Sequence, residues 1–146
     1  MKTIVYESNS SEETYKLGIE LAKQAKPGNV YTLSGDLGTG KTVFAQGFAK
    51  GLDIDEAVNS PTFTILQVYD SGRMPFYHFD VYRIADLDEM DEIGYEDCFY
   101  GEGVCLVEWA ELVSEIIPSD CISIKISKNL EKGFDYRQIE VTTCAK

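Results

Sequence analysis

Residues 35–42 read Gly35-Asp36-Leu37-Gly38-Thr39-Gly40-Lys41-Thr42, a full match to G-x-x-x-x-G-K-[ST]. No other stretch restricts the chain so strongly. Glycines adopt backbone conformations closed to other residues, so successive N–H groups can converge on one anion. A helix starting directly afterwards adds its free N–H groups and the positive end of its dipole. Such a loop needs an apolar strand before it and a helix after it. VYTLSG over 30–35 reads as a central strand, and Phe44, Phe48 and Leu52 recur on one helical face, with Gly51 near the end. The loop is therefore expected to hold the phosphates of ATP. Lys41 would bridge the β- and γ-phosphates, and the Thr42 hydroxyl is placed to ligate Mg²⁺.

The remaining pattern supplies a sheet around this unit. TIVY over 3–6 reads as a short strand, followed by a capping box at Ser10 and Glu13 and a helix burying Thr14, Leu17, Gly18, Leu21, Ala22 and Ala25. Pro27-Gly28 stops that helix. Residues 62–69 and 76–82 are β-rich runs joined by Asp70-Ser71-Gly72, and read as a hairpin. Residues 86–93 form a short acidic helix or turn, 104–109 a buried strand, and 110–117 a short helix ending before Pro118. Strands at 122–127 and 137–143 close the sequence, linked by a turn around Gly133. The expected fold is α/β: a single P-loop NTPase domain over residues 1–146, with a mixed central sheet flanked by helices.

Composition narrows the function. The net charge is −12 and the only arginines are Arg73, Arg83 and Arg137. Nucleic-acid affinity comes largely from Lys and Arg neutralising phosphates, so contact with nucleic acid is expected only through a partner. An acidic surface also suits a basic protein face. No apolar run approaches the roughly 20 residues that cross a bilayer, and the N-terminus does not read as a signal peptide. Cys98, Cys105, Cys121 and Cys144 lack Cys-x-x-Cys spacing, and His78 is the sole histidine, so a zinc site is not expected. The cysteines read as reduced thiols of a cytoplasmic protein.

A phosphate loop of this kind works with an acid at the end of an apolar strand. Two segments qualify, FYHFD ending at Asp80 and VCLVE ending at Glu108. The second is the more apolar, so Glu108 is assigned to Mg²⁺ and Asp80 to the water or a second metal contact; exchange of the two roles stays open. Thr62, on a loop stiffened by Pro61, is either a γ-phosphate sensor or an ordinary residue at a strand start. His78 reads as a structural hydrogen-bonding residue and Trp109 as a core aromatic.

Taken together, the phosphate loop, Ser60-Pro61-Thr62-Phe63, His78-Phe79-Asp80-Val81-Tyr82-Arg83 and Glu108-Trp109 resemble, in order and spacing, the TsaE (also called YjeE) family. These are small bacterial ATPases of tRNA threonylcarbamoyladenosine synthesis. The resemblance runs from about Ser11 to Trp109. It implies a cytoplasmic ATPase working with TsaB and TsaD, where TsaD modifies an adenosine beside the tRNA anticodon and TsaE hydrolyses ATP to keep the complex turning over; tRNA is met only indirectly. It implies that Lys41, its loop and the following Val43 bind the nucleotide, and that Thr42 and Glu108 hold Mg²⁺. It further implies that Asp80 and Trp109 matter for activity, that residues 60–63 sense the nucleotide, that Ser11 lies near the adenine and that Arg137 approaches the nucleotide.

Three other readings compete. A small-molecule kinase usually clamps the transferred phosphoryl group with several arginines, and three unclustered ones argue against it. A GTPase switch is suggested by Asp91-Glu92-Ile93-Gly94, but that D-x-x-G follows an acidic stretch, and no Asn-Lys-x-Asp is present to read guanine. A nucleotide-gated binding module would carry the same loop. Weak turnover of the isolated chain is expected, with Arg83 the best-placed internal arginine.

Overall fold

A computed structural model describes residues 2–36, 38–61 and 64–143. The chain runs β1 (Lys2–Ser8), α1 (Ser11–Lys23), β2 (Val30–Gly35), α2 (Lys41–Gly51), β3 (Leu66–Tyr69), β4 (Phe76–Asp80), α3 (Asp88–Glu92), α4 (Tyr95–Phe99), β5 (Val104–Glu108), β6 (Ile122–Lys128) and β7 (Arg137–Thr143). A 3₁₀ stretch, Ala110–Ile116, stands where the helix over 110–117 is expected, and is kinked at Val113. The strands form one seven-stranded sheet in the order β1-β7-β6-β2-β5-β4-β3. β6, β2, β5 and β4 run parallel, while β1, β7 and β3 join antiparallel. This is the mixed sheet flanked by helices that the sequence implies.

The parallel centre is buried on both faces, as its near-continuous apolar strands require. Along β5, Val104 and Leu106 join the core beneath α1 and α2, whereas Cys105 and Val107 join the core on the opposite face with Met90 and Phe99. Ser10 caps α1 by accepting from Glu13 N–H, and Glu13 Oε1 accepts from Asn9 N–H, so the expected box forms with its return bond one residue early. Gly18 and Gly47 bring α1 and α2 into contact: a Cβ on Gly18 would stand 2.6 Å from the Phe44 carbonyl oxygen.

Several elements depart from expectation. β1 extends to seven residues because β7 pairs with it along its whole length. The hairpin of β3 and β4 is present, with β4 ending at Asp80; Thr62 and Phe63 lie outside the described residues. The sequence pattern does not reveal α4, which buries Cys98 and Phe99. Cys98 and Cys105 are free and buried, and burial pushes both thiols above their usual pKa; Cys144 lies outside the described residues. No described helix is long and apolar enough to cross a membrane.

Candidate nucleotide site

β2 delivers the chain into the glycine-rich loop, and α2 leaves it. Gly38 and Gly40 have φ of 81° and 100°, left-handed values that favour glycine. The Asp36 carbonyl accepts from Thr39 N–H at 3.2 Å and from Thr39 Oγ1 at 2.7 Å, which closes the tip into a turn. Gly40 caps α2 without a side-chain hydrogen bond, so the first-turn amides of α2 are not capped by it. Thr42 is exposed on that turn, and Lys41 and Val43 are half-buried. Leu37 lies outside the described residues.

Because β2, β5 and β4 are parallel, their C-terminal ends share one edge of the sheet, where ligands of open α/β folds bind. Asp80 and Glu108 are register partners there, and Glu108 neighbours Leu33, two residues before Gly35. Both acids are nearly excluded from solvent, at 6% and 4% exposure. A buried carboxylate needs donors, and each has them. Glu108 Oε2 is 2.8 Å from His78 Nε2. Asp80 Oδ2 accepts from Ser60 Oγ at 3.2 Å and Oδ1 from Tyr82 N–H at 3.1 Å. His78 is thus a hydrogen-bonding residue, as the sequence implies, and its partner is one of the two candidate acids.

Trp109 turns the chain after Glu108 with φ of 63°, packs against Tyr82 at 4.7 Å between ring centroids, and lies 4.9 Å from Lys41 Nζ. It is half-buried and packs against the core on the face of Phe79 and Val107, as the sequence implies, and it also joins the phosphate loop to the acidic strand ends. Asp80 also holds the segment beside Thr62 at both ends. Its carboxylate takes Ser60, and its N–H donates to the Ile65 carbonyl at 2.8 Å. Ile65 has φ of 67°, a strained value for a β-branched residue.

On the other flank of the loop a cavity of about 340 Å³ is lined by Ser10, Ser11, Thr14, Gly38, Thr39, Gly40, Val43, Asp135 and Arg137. Six of the residues expected at a nucleotide meet there. Ser10, Thr14 and Asp135 are additions to that set. Ser10 reads as a helix cap and Thr14 as a core position, and nothing local marks Asp135. Arg137 lines the cavity, but its guanidinium is bonded to the carbonyls of Gly38, Thr39, Phe134 and Tyr136. The D-x-x-G residues lie in α3 and at the Gly94 cap of α4, and do not directly follow a strand.

No three His, Cys, Asp or Glu side chains among the described residues are grouped to hold a metal ion. Mg²⁺ does not require such a group, since it commonly binds through one or two carboxylates plus substrate phosphates and water. The candidate oxygen donors are the Thr42 hydroxyl and the strand-end carboxylates of Glu108 and Asp80.

Known proteins resemble this chain in sequence and in fold. The family model "Threonylcarbamoyl adenosine biosynthesis protein TsaE" matches residues 8–139. The tRNA threonylcarbamoyladenosine biosynthesis protein TsaE of Bacillus subtilis is 47% identical over 142 residues, covering 97% of this chain and 87% of that protein. Its namesake from Treponema pallidum is 43% identical over 119 residues, covering 82% and 87%. The crystal structure of Bacillus subtilis YdiB superposes with a TM-score of 0.83 at 42% identity, covering 99% of this chain and 87% of that one. With the family model spanning most of the sequence and relatives this similar, the chain belongs to the TsaE family.

Proposed function

We propose that this chain binds ATP with Mg²⁺ at residues 35–42 and hydrolyses it in support of tRNA threonylcarbamoyladenosine formation, in the cytoplasm and with TsaB and TsaD. The pathway rests on the family and on the names of its relatives. The observation that carries the chemistry is the contact of Lys41 with Trp109, which brings the phosphate loop beside the paired acids Asp80 and Glu108.

In this reading the loop amides and Lys41 take the phosphates, and the cavity beside Ser11, Val43 and Arg137 takes the nucleoside. Thr42 and Glu108 would hold Mg²⁺, which would supply charge neutralisation of the phosphates. Asp80 orients the attacking water, and Thr62 reports the γ-phosphate to the segment that Asp80 anchors. Both Asp80 oxygens already accept protein hydrogen bonds, so the isolated chain is expected to turn over slowly. Of the arginines, Arg73 bonds the carbonyls of Ala22 and Ala25 at the end of α1, which fits a kinase clamp poorly. The net charge of −12 fits a protein that reaches tRNA through partners.

The test is reconstitution. Purified TsaB and TsaD with unmodified tRNA and a threonylcarbamoyl donor should form modified tRNA over many turnovers only when this chain and ATP are present. Equal turnover without the chain, or with Lys41→Ala, would remove the proposal. Preference for GTP in direct titration would revive the GTPase alternative.

A further inference from the structure

Arg137 opens β7, and its guanidinium serves four backbone carbonyls from three nitrogens. Nε donates to Thr39 O at 2.9 Å and Nη2 to Gly38 O at 3.4 Å. Nη1 donates to Phe134 O at 3.1 Å and Tyr136 O at 2.8 Å. A peptide unit is planar, so fixing one C=O fixes the direction of the next N–H. The bond to Thr39 O therefore sets the Gly40 N–H, and the bond to Gly38 O sets the Thr39 N–H. The Thr39 N–H already donates within the loop, to Asp36 O. The Gly40 N–H has no partner among the described residues, and Gly40 is the left-handed residue that caps α2. Of the two amides, Gly40's is the one left to a ligand.

We propose that Arg137 is a positioning residue for the phosphate loop. It holds the Thr39–Gly40 peptide so that the Gly40 N–H faces away from the guanidinium and toward bound phosphate, and its guanidinium donors stay on the backbone carbonyls and do not bind the phosphates. This rests on the reading that the loop binds phosphates. Arginine suits such a role because a planar fork of five donors can satisfy several carbonyls at once, whereas a lysine ammonium is a point charge on a flexible stem. The clamp also ties the loop to the turn before β7, so the C-terminal strand pair enters the geometry of a phosphate loop that lies in the first third of the chain.

The test compares Arg137→Lys, Arg137→Met and Lys41→Ala by calorimetric titration with ATP and ADP, alongside the Gly40 amide resonance of each nucleotide-free protein. Both Arg137 variants should bind ATP and ADP about tenfold more weakly or worse, the scale of one lost hydrogen bond to a charged group. Both should shift the Gly40 resonance. Arg137→Lys binding as tightly as wild type would show that charge suffices and would overturn the clamp, as would an unmoved Gly40 resonance in Arg137→Met. A measurement on the unaltered protein guards against variants that fail to fold. The Arg137 Nε–H should exchange slowly with solvent and keep its resonance when ATP binds; a large shift would mean that the guanidinium moves to the nucleotide, and would overturn the inference. If Lys41→Ala binds ATP as wild type does, the phosphate reading itself falls; if only the Arg137 results fail, that reading stands and the clamp does not.

Discussion

The Lys41 ammonium lies 4.9 Å from the centroid of the Trp109 ring. A cation over an indole face is held by the ring quadrupole, at roughly 0.5–1 kcal/mol where water has access. The contact is weak enough to yield to a triphosphate, and it involves the chain's single tryptophan. ATP binding should draw Lys41 off the ring and change the intrinsic fluorescence. Lys41→Ala should change the emission of the nucleotide-free protein, abolish the ATP response and lower ATP affinity by roughly tenfold to a hundredfold or more. Emission from Lys41→Ala identical to wild type before ATP is added would show that the lysine does not rest on the ring.

Gly47→Ala should destabilise the protein even though alanine is the better helix former by about 1 kcal/mol. A Cβ at Gly47 would overlap the backbone carbonyl of Tyr15 in α1, and backbone cannot step aside as a side-chain tip can. Overpacking of this kind costs roughly 1–3 kcal/mol. Since α2 begins at the phosphate loop, the displacement should also weaken nucleotide binding. Urea unfolding monitored by circular dichroism measures the first effect. A raised unfolding midpoint would show that the two helices separate freely.

The loop, the strand before it and the helix after it are legible in the sequence because local chemistry specifies them: glycines at left-handed positions, an apolar run, helical spacing. The strand-end acids are legible singly. Their pairing is not, since the register of β4 on β5 is set by the whole sheet. His78 can be read as hydrogen-bonded, but its partner lies 30 residues away across that register. The same distance effect hides the contact of Arg137 with Thr39, which spans 98 positions through a chain reversal no local pattern fixes. α4 is hidden for another reason. Five residues show too little periodicity to declare a helix, and burial of Cys98 and Phe99 decides it.

Tyr136→Phe should raise the pKa of Glu7. The Tyr136 hydroxyl donates to Glu7 Oε2 at 2.7 Å and Lys132 Nζ stands 3.4 Å from the same atom, so the tyrosine first and the lysine second hold this carboxyl below its ordinary value of 4.5. A depressed carboxyl pKa stabilises the fold above the unfolded-state value, and that contribution is lost as pH falls through the lowered folded-state value. The stability gap between wild type and Tyr136→Phe should therefore be present at neutral pH and close in acid. Carboxyl-carbon NMR titration reads the pKa, and urea midpoints across the acid range read the gap. A gap that persists below the lowered pKa would assign the effect to packing of Tyr136, which is buried, and not to the Glu7 bond.

His78→Phe isolates what the buried pair contributes. For the ring to donate to Glu108 Oε2 across 2.8 Å, Nε2 must carry the proton; Nδ1, sealed from water, then has no partner among the described residues. The ring is also stacked on Phe76, at 5.7 Å between centroids, so phenylalanine should fit the same space. Its cost is then the loss of a donor to a carboxylate that is 4% exposed, about 1–3 kcal/mol or more. An apolar pair in place of a buried polar one is often neutral, whereas breaking the pair from one side is not. His78→Phe combined with Glu108→Leu should therefore recover part of what His78→Phe loses, although it cannot restore Mg²⁺ binding if Glu108 is the ligand. Urea unfolding of the two single variants and the double variant closes the cycle. Additivity within about 0.5 kcal/mol would mean that the two side chains do not act on one another, and that the hydrogen bond between them contributes nothing to the fold.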